Sequence, residues 1–357
     1  MLRAIAVCRD AVYLVGAYGK GDDTRPAAWS SPDGRTWAEF PVFAESYYGV
    51  RSVMHTVACR DGGDVAAIGG KPGGAHGNPR VSSYDLVTEA GDGAAPHGVL
   101  KEVHARFELF GGPTATNVGR LDAGPDGWII TGNRASGAAV WLSPDAAAFE
   151  IVEGAPVLSS SAERATWAAD AAAHGGEWVV VGGVVAQGRS DRDPAAWVSA
   201  DGLTWRSVSV PAEPEYDELA VVTPYRDGLV AVGISGPTFR AWRLDDSGWQ
   251  AAGRFASTRP TAPAAGPAGA ANAADLTASG DHLIAAVADG TAYQLWLSSD
   301  GGETWRPVPV RMHLPFGATR AVALGGLPGV GGEPDRVLLA GDDGAAGRLF
   351  LAELPES

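Results

Sequence analysis

Short apolar runs recur along the whole chain, each closed by glycine or by a charged turn; Val12 to Gly16, Val65 to Gly69 and Val337 to Ala340 are examples. Runs this short, rich in β-branched residues and bounded by Gly and Asp, read as buried strands rather than helices. Around each run the same grammar repeats: an apolar strand, a turn, the Val-rich strand, a variable loop, a strand ending in Trp-x-Ser, and a short return strand. Seven such units follow, over about 2–42, 50–110, 117–153, 167–210, 218–255, 273–310 and 319–354, with anchors at Trp29, Val81, Trp141, Trp197, Trp242, Trp296 and Phe350. The pattern predicts an all-β chain in which residues 1–357 form one domain of repeated four-stranded sheets. The seventh unit stops after its third strand, which leaves room for a three-stranded last sheet.

The sharpest repeat is Trp296 to Trp305 (WLSSDGGETW), with shorter copies at Trp29 to Trp37 (WSSPDGRTW) and Trp197 to Trp205 (WVSADGLTW). Degraded copies stand at Trp141 to Phe149 and Trp242 to Trp249, and a trace at Ser83-Tyr84-Asp85. Ser ends one strand, Asp-Gly supplies an acceptor and a positive-φ position, and Thr-Trp starts the returning strand, so each copy predicts a β-hairpin. The Trp can fold back over its own turn. Asp33, Asp145, Asp201, Asp246 and Asp300 are accordingly expected to be structural. These segments resemble the Asp-box (BNR) repeat, Ser-x-Asp-x-Gly-x-Thr-Trp, matched at every place by Ser298, Asp300, Gly302, Thr304 and Trp305. The resemblance implies a seven-bladed β-propeller with the box hairpins at the outer edge of the blades.

Composition changes the picture mainly by exclusion. A formal net charge of −15 gives no basic face for nucleic acid or an anionic membrane. The N-terminal stretch lacks a continuous apolar region followed by a small-residue cleavage site, and the expectation is a cytoplasmic monomer. Cys8 and Cys59 occupy matching places in successive units (AVCRD and VACRD) and hence different blades, so they are expected to be small buried thiols rather than a disulfide.

Propellers gather function at the end of the ring where blades connect and where the second-to-third-strand loops emerge, and that end is expected to bind a small molecule or peptide. Aligning the first strands on the Val-rich motif brings Ala4, His55, Arg120, Asp170, Val221, Asp275 and Ala321 to one inner height. A His, an Arg and two Asp there could perturb one another's ionisation; His55, Asp170 and Asp275 are the candidate catalytic residues, with Arg51, Arg120 and Tyr48 as candidate anion-binding and positioning residues. The competing reading is a polar-lined shaft whose groups satisfy one another. Acid pairs Asp22-Asp23 and Asp342-Asp343, on neighbouring blades, are a possible Ca²⁺ site, and no other cofactor is expected; His76, His97 and His104 lack the tight spacing of a zinc site.

Three function classes fit the resemblance. Sialidases carry an Arg-Ile-Pro motif and six blades, whereas Arg25-Pro26 and Arg259-Pro260 lack the Ile. The xyloglucan-degrading group pairs two propellers around a cleft, and one ring provides only one. The third class comprises non-catalytic binding modules, like the photosystem assembly factor and the sortilin-type receptors. The expectation is a ligand- or partner-binding propeller, with an enzyme acting on a small molecule, glycan or peptide at the shaft as the alternative. A binding scaffold should expose an apolar or aromatic patch, for which Tyr47, Tyr48, Phe239 and Phe316 are the candidates.

Overall fold

The computed structural model of the chain describes residues 1–71, 80–88, 98–259, 269–310, 314–317, 320–343 and 345–355. Seven sheets follow one another in chain order, and within each the strands run outward from an inner strand. The inner strands are Leu2–Val7, Val53–Cys59, Ala115–Gly124, Arg164–His174, Asp217–Tyr225, Asn272–Ser279 and Ala321–Leu327. They line one central shaft, and the whole is a seven-bladed β-propeller. Blade four shows the plan: Arg164–His174, Glu177–Ala186, Asp193–Ser199 and Arg206–Val208, each antiparallel to the next. The second strand, EWVVVGGVVA, is apolar on both faces because a neighbouring blade packs on each side. The last blade has three strands.

The hairpins close as their residues dictate. In blade four Asp201 Oδ1 accepts the N–H groups of Leu203 (2.8 Å) and Thr204 (2.7 Å), Ser199 Oγ accepts that of Gly202 (2.8 Å), and Trp205 Nε1 donates to Gly202 O (2.8 Å). Asp33 and Asp300 act likewise in blades one and six. Gly34, Gly202 and Gly301 take positive φ at these turns; in blade three Ala146 does so at 62° beside Asp145. Blade five departs from expectation. Its turn is a tight Asp245–Gly248 connection, so Asp245, not Asp246, accepts the Ser247 N–H.

Blade two also departs. Ser83, Tyr84 and Asp85 lie inside the strand Arg80–Thr88 rather than at a turn, with Tyr84 fully buried and its hydroxyl bonded to Ser52 and Gly49 O. A fifth strand, Val42–Phe43, crosses from blade one to pair in parallel with Gly98–Val103. Glu102 holds this crossover by accepting the N–H groups of Glu45 and Ser46 and the hydroxyls of Ser46 and Ser82.

Among the described residues no strand is shared across the junction of blades seven and one. That junction closes by packing of Val12, Leu14 and Trp37 against Leu327, Leu338 and Leu349. The Arg3 guanidinium meets the Asp342 carboxylate there at 2.6 Å, with the Asp342 side chain 1% exposed.

Cys8 and Cys59 form a disulfide, contrary to the sequence expectation; their Cα atoms are 5.9 Å apart. Membership of different blades was the wrong criterion. Inner strands of successive blades converge at the shaft, so equivalent positions at one height are direct neighbours, within the separation a disulfide needs.

Two predictions test this frame. Trp205→Ala, which strips a ring only 7% exposed from the junction of blades three and four, should cost about 3–5 kcal/mol in urea unfolding; an unchanged midpoint would contradict that packing. Cys8→Ser with Cys59→Ser should cost about 2–4 kcal/mol, and thiol titration of the denatured, unreduced protein should find no reactive cysteine.

Candidate functional site

Six inner strands carry a β-bulge near the shaft, at Leu2/Ala4, Met54/Thr56, Val118/Leu121, Ala168/Asp170, Leu219/Val221 and Ala273/Asp275. The residue paired just after each bulge is Ala4, Thr56, Leu121, Asp170, Val221 and Asp275; Arg120 directly precedes Leu121 inside the bulge of blade three, and Ala323 takes the corresponding place in blade seven, whose inner strand has no bulge. Alignment on sequence therefore placed Arg120, Asp170 and Asp275 together, set His55 one residue early, on the bulge itself, and set Ala321 two residues early.

Arg120 reaches across the shaft from blade three. Its Nε lies 3.9 Å from Asp170 Oδ2 of blade four and its Nη1 3.5 Å from Asp275 Oδ1 of blade six, while Nη2 donates to Ala274 O. Both carboxylates are also committed to backbone. Asp170 accepts Ala171 N–H and, on blade five, Val222 N–H (both 3.0 Å). Asp275 accepts Leu276 N–H (3.0 Å) and, on blade seven, Leu324 N–H (2.7 Å). Thr56 occupies the same height in blade two, and its hydroxyl accepts Leu121 N–H of blade three. One side-chain position thus ties a blade to the inner strand of the next at three junctions.

Burial pushes the Asp170 carboxyl up to about 6, with the Arg120 charge and the two N–H groups pulling it back. Burial raises Asp275 as well, against the pull of Arg120. Burial works against the Arg120 charge too, yet Asp170 and Asp275 hold its guanidinium above the usual value. His55 lines the shaft, and burial lowers its ionisation; among the described residues no hydrogen bond or ion pair joins it to Arg120, Asp170 or Asp275.

Sequence reasoning missed Asp122. It stands two residues after Arg120 on the same inner strand and lines the shaft, and burial pushes its carboxyl up to about 7, with the Asp170 charge adding to the rise. Two ionisable residues at i and i+2 on an inner strand share a face, and that spacing was the available signal. The shaft that holds these groups encloses about 1240 Å³.

Tyr48 and Arg51 do not line the shaft. They sit at the loop-rich end over blades one and two, where Arg51 stacks on Tyr47 and Arg80 on Tyr48. Of the other aromatic candidates, Phe239 is fully buried between blades five and six and offers no surface, and Phe316 packs edge-on against Tyr293. The acid pairs go to separate partners: Asp22 to Lys71, Asp342 to Arg3, and Asp343 to the N–H groups of Ala345 and Ala346. Among the described residues no cluster of three or more His, Cys, Asp or Glu is arranged to hold a metal. His76 and His97 lie outside the described residues, and His104 faces Glu45 at 3.5 Å.

No protein-family model matches the sequence, and no curated protein sequence matches it. Solved structures do match in fold. A protein of Bacteroides fragilis described as a candidate 6-phosphogluconolactonase is 13% identical over 95% of this chain and 92% of its own, with a TM-score of 0.54. The β-propeller domain of the Trilobed protease of Pyrococcus furiosus, described as having an open velcro topology, is 10% identical over 98% of this chain and 92% of its own, at 0.51. Sqt1 of Chaetomium thermophilum, solved bound to the N-terminus of ribosomal protein L10, is 14% identical over 96% and 83%, at 0.48. The likeness to the first two structures establishes the fold alone.

The raised carboxyls set a pH dependence. Asp122 and Asp170 titrate above the 3.8 of an ordinary Asp, so the folded chain holds protons that the unfolded chain releases, and stability falls as pH rises from about 4 to about 7. Asp33, held down to about 2 by the N–H groups of Thr36 and Arg35, acts in the opposite sense, its stabilisation being lost as pH falls from about 4 towards 2. The melting temperature should therefore be higher near pH 5 than near pH 8, and Asp122→Asn should flatten that slope. A slope unchanged in Asp122→Asn would remove this carboxyl from the account.

Proposed function

We propose that this protein is a partner-binding propeller whose working surface is the loop-rich end above blades one and two, and that it takes an acidic segment of a peptide or protein. The observation that carries the reading is a group of cations held over aromatic rings at that end. Arg51 lies 4.3 Å and Lys71 5.8 Å from the Tyr47 ring, and Arg80 lies 5.2 Å from Tyr48 and 4.0 Å from Phe107. Tyr47 is 59% and Phe107 48% exposed. A chain of net charge −15 that gathers three cations on exposed rings has a local surface complementary to carboxylates. The shaft argues less strongly for chemistry, because Asp170 and Asp275 spend their oxygens on backbone N–H groups of two blades each.

In the same reading the hairpins at Ser31, Ser143, Ser199 and Ser298 are Asp-box repeats, supported by the Ser and Asp acceptors at their turns. Among the described residues no helix is long and apolar enough to cross a membrane. The Cys8–Cys59 disulfide weighs against the cytoplasmic expectation, since such bonds persist in oxidising compartments.

One observation favours an enzyme as the second reading. Asp122, with its carboxyl near 7, faces a water-accessible shaft also lined by His55, a setting suited to proton transfer on a small molecule.

The test is titration with decaglutamate, using decalysine as control. Decaglutamate should perturb the Tyr47 and Phe107 signals saturably, binding should weaken as salt is raised, and Arg80→Ala should lower affinity about tenfold, or ~1.4 kcal/mol. Absent perturbation, or equal binding by Arg80→Ala, would count against this surface.

A further inference from the structure

The outer edge of blade seven is the place where the ring departs from its own plan. Four-strand blades cover the third strand with a fourth: Ala38–Phe40, Glu150–Val152, Arg206–Val208, Gly248–Phe255 and Arg306–Val308 pair there in blades one, three, four, five and six. In blade seven the third strand, Gly347–Glu353, is the edge. Leu354 N–H bonds inward to Asp335 O at 2.7 Å. Antiparallel alternation then turns the N–H and C=O groups of Leu349, Leu351 and Glu353 outward, and among the described residues none of them bonds outside its sheet.

Beside this edge lies a groove of about 600 Å³ between blade seven and the turn of blade one, lined by Arg35 and Trp37 on one side and by Arg336, Leu349, Leu351 and Glu353 on the other. Leu349, Leu351 and Glu353 stand opposite Ala340, Leu338 and Arg336 and therefore share their face. The Arg336 side chain is 12% exposed; its Nη2 lies 3.6 Å from the exposed Glu333 carboxylate, and its Nε is buried with no hydrogen-bond partner. Between blades five and six the equivalent space is closed by a fourth strand, whose Gly253 N–H bonds Gly302 O in the next blade's turn at 2.8 Å.

We infer that this groove is a strand-addition site: an extended segment of a partner protein, bearing a carboxylate followed two residues on by an apolar side chain, pairs antiparallel with Leu349–Leu351 as the missing fourth strand of blade seven. The main chain would satisfy the outward groups, the apolar side chain would fill the space beside Trp37 and Leu351, and the carboxylate would meet Arg35 and Arg336. A second copy of this chain fits less well. Antiparallel self-pairing centred on Phe350 brings the copy's Arg348 alongside Ala352, next to the level of Arg336, and it joins two bodies of charge −15.

The chain holds a model for the occupant in its own blade three, Phe149-Glu-Ile-Val-Glu153, where Glu150, Ile151 and Val152 pair with Leu142, Trp141 and Val140. The probe is a synthetic acetylated peptide of that sequence, with a Glu-to-Lys version as control. It should shift the amide signals of Leu349, Leu351 and Glu353 saturably and slow their hydrogen exchange, while the Lys version binds at least tenfold more weakly. Leu351→Pro, which deletes one outward N–H at an edge position where proline is tolerated, should abolish binding while the rest of the spectrum is kept. Should that variant not fold, Leu349→Lys, which puts a charge into the groove, should do the same. The inference fails if millimolar peptide leaves the edge amides unchanged, or if a folded edge variant binds it as the native chain does. It fails equally if sedimentation shows a dimer that the edge variants dissolve, which would assign the edge to a second copy.

Discussion

The ring depends on one recurring contact, in which an acceptor side chain just after the inner-strand bulge of one blade takes a backbone N–H from the inner strand of the next. Thr56 does this to Leu121, Asp170 to Val222 and Asp275 to Leu324. Inner strands of different blades are too far apart to share a ladder and too close to leave their amides to bulk water, so a short side chain bridges them. The bulge aims that side chain sideways instead of along the sheet. Arg120 follows from this arrangement. Two carboxylates held at the shaft wall by backbone N–H groups leave a negative centre, and a guanidinium from blade three spans the opening to balance it.

This contact divides the polar groups of the molecule into two kinds. Those at the shaft are largely engaged in holding blades together, with Asp122 standing apart as a buried carboxyl near neutrality. Those above blades one and two are arranged on exposed rings and bind nothing that the ring needs for closure, Lys71 with Asp22 excepted. The outer edge of blade seven differs from both, being main chain rather than side chain.

How much was legible in the sequence followed from how local each feature is. The Ser-Asp turn hairpins are set by contacts two to four residues apart, and the places of Ser298, Asp300 and Trp305 are legible in the sequence. The blade count and the short last blade came from the same periodicity. His55 was misplaced because a bulge inserts one residue without a sequence mark, shifting every later position by one face, whereas the inner strand of blade seven has no bulge and Ala321 was set two residues early on it. Asp246 lost its role to Asp245 because a tight turn puts the acceptor first. The disulfide was misjudged because repeat units were treated as separated bodies, although wedge-shaped blades touch at their narrow ends. Val42–Phe43 crossing into blade two depends on Glu102, far along the chain, and nothing near it in sequence announces the partner.

The junction of blades seven and one bears on how such a ring can change in evolution. Many closed rings are locked by a strand lent from one end of the chain to the other, and gaining or losing a blade then requires rethreading that lock. Here every sheet is drawn from one contiguous stretch, and the seam among the described residues is a face of leucines, a tryptophan and an ion pair. A gene duplication of one unit beside the seam would present the same faces to its neighbours, whereas blades one and two, joined by the disulfide and the crossover strand, would have to be copied or deleted as a pair.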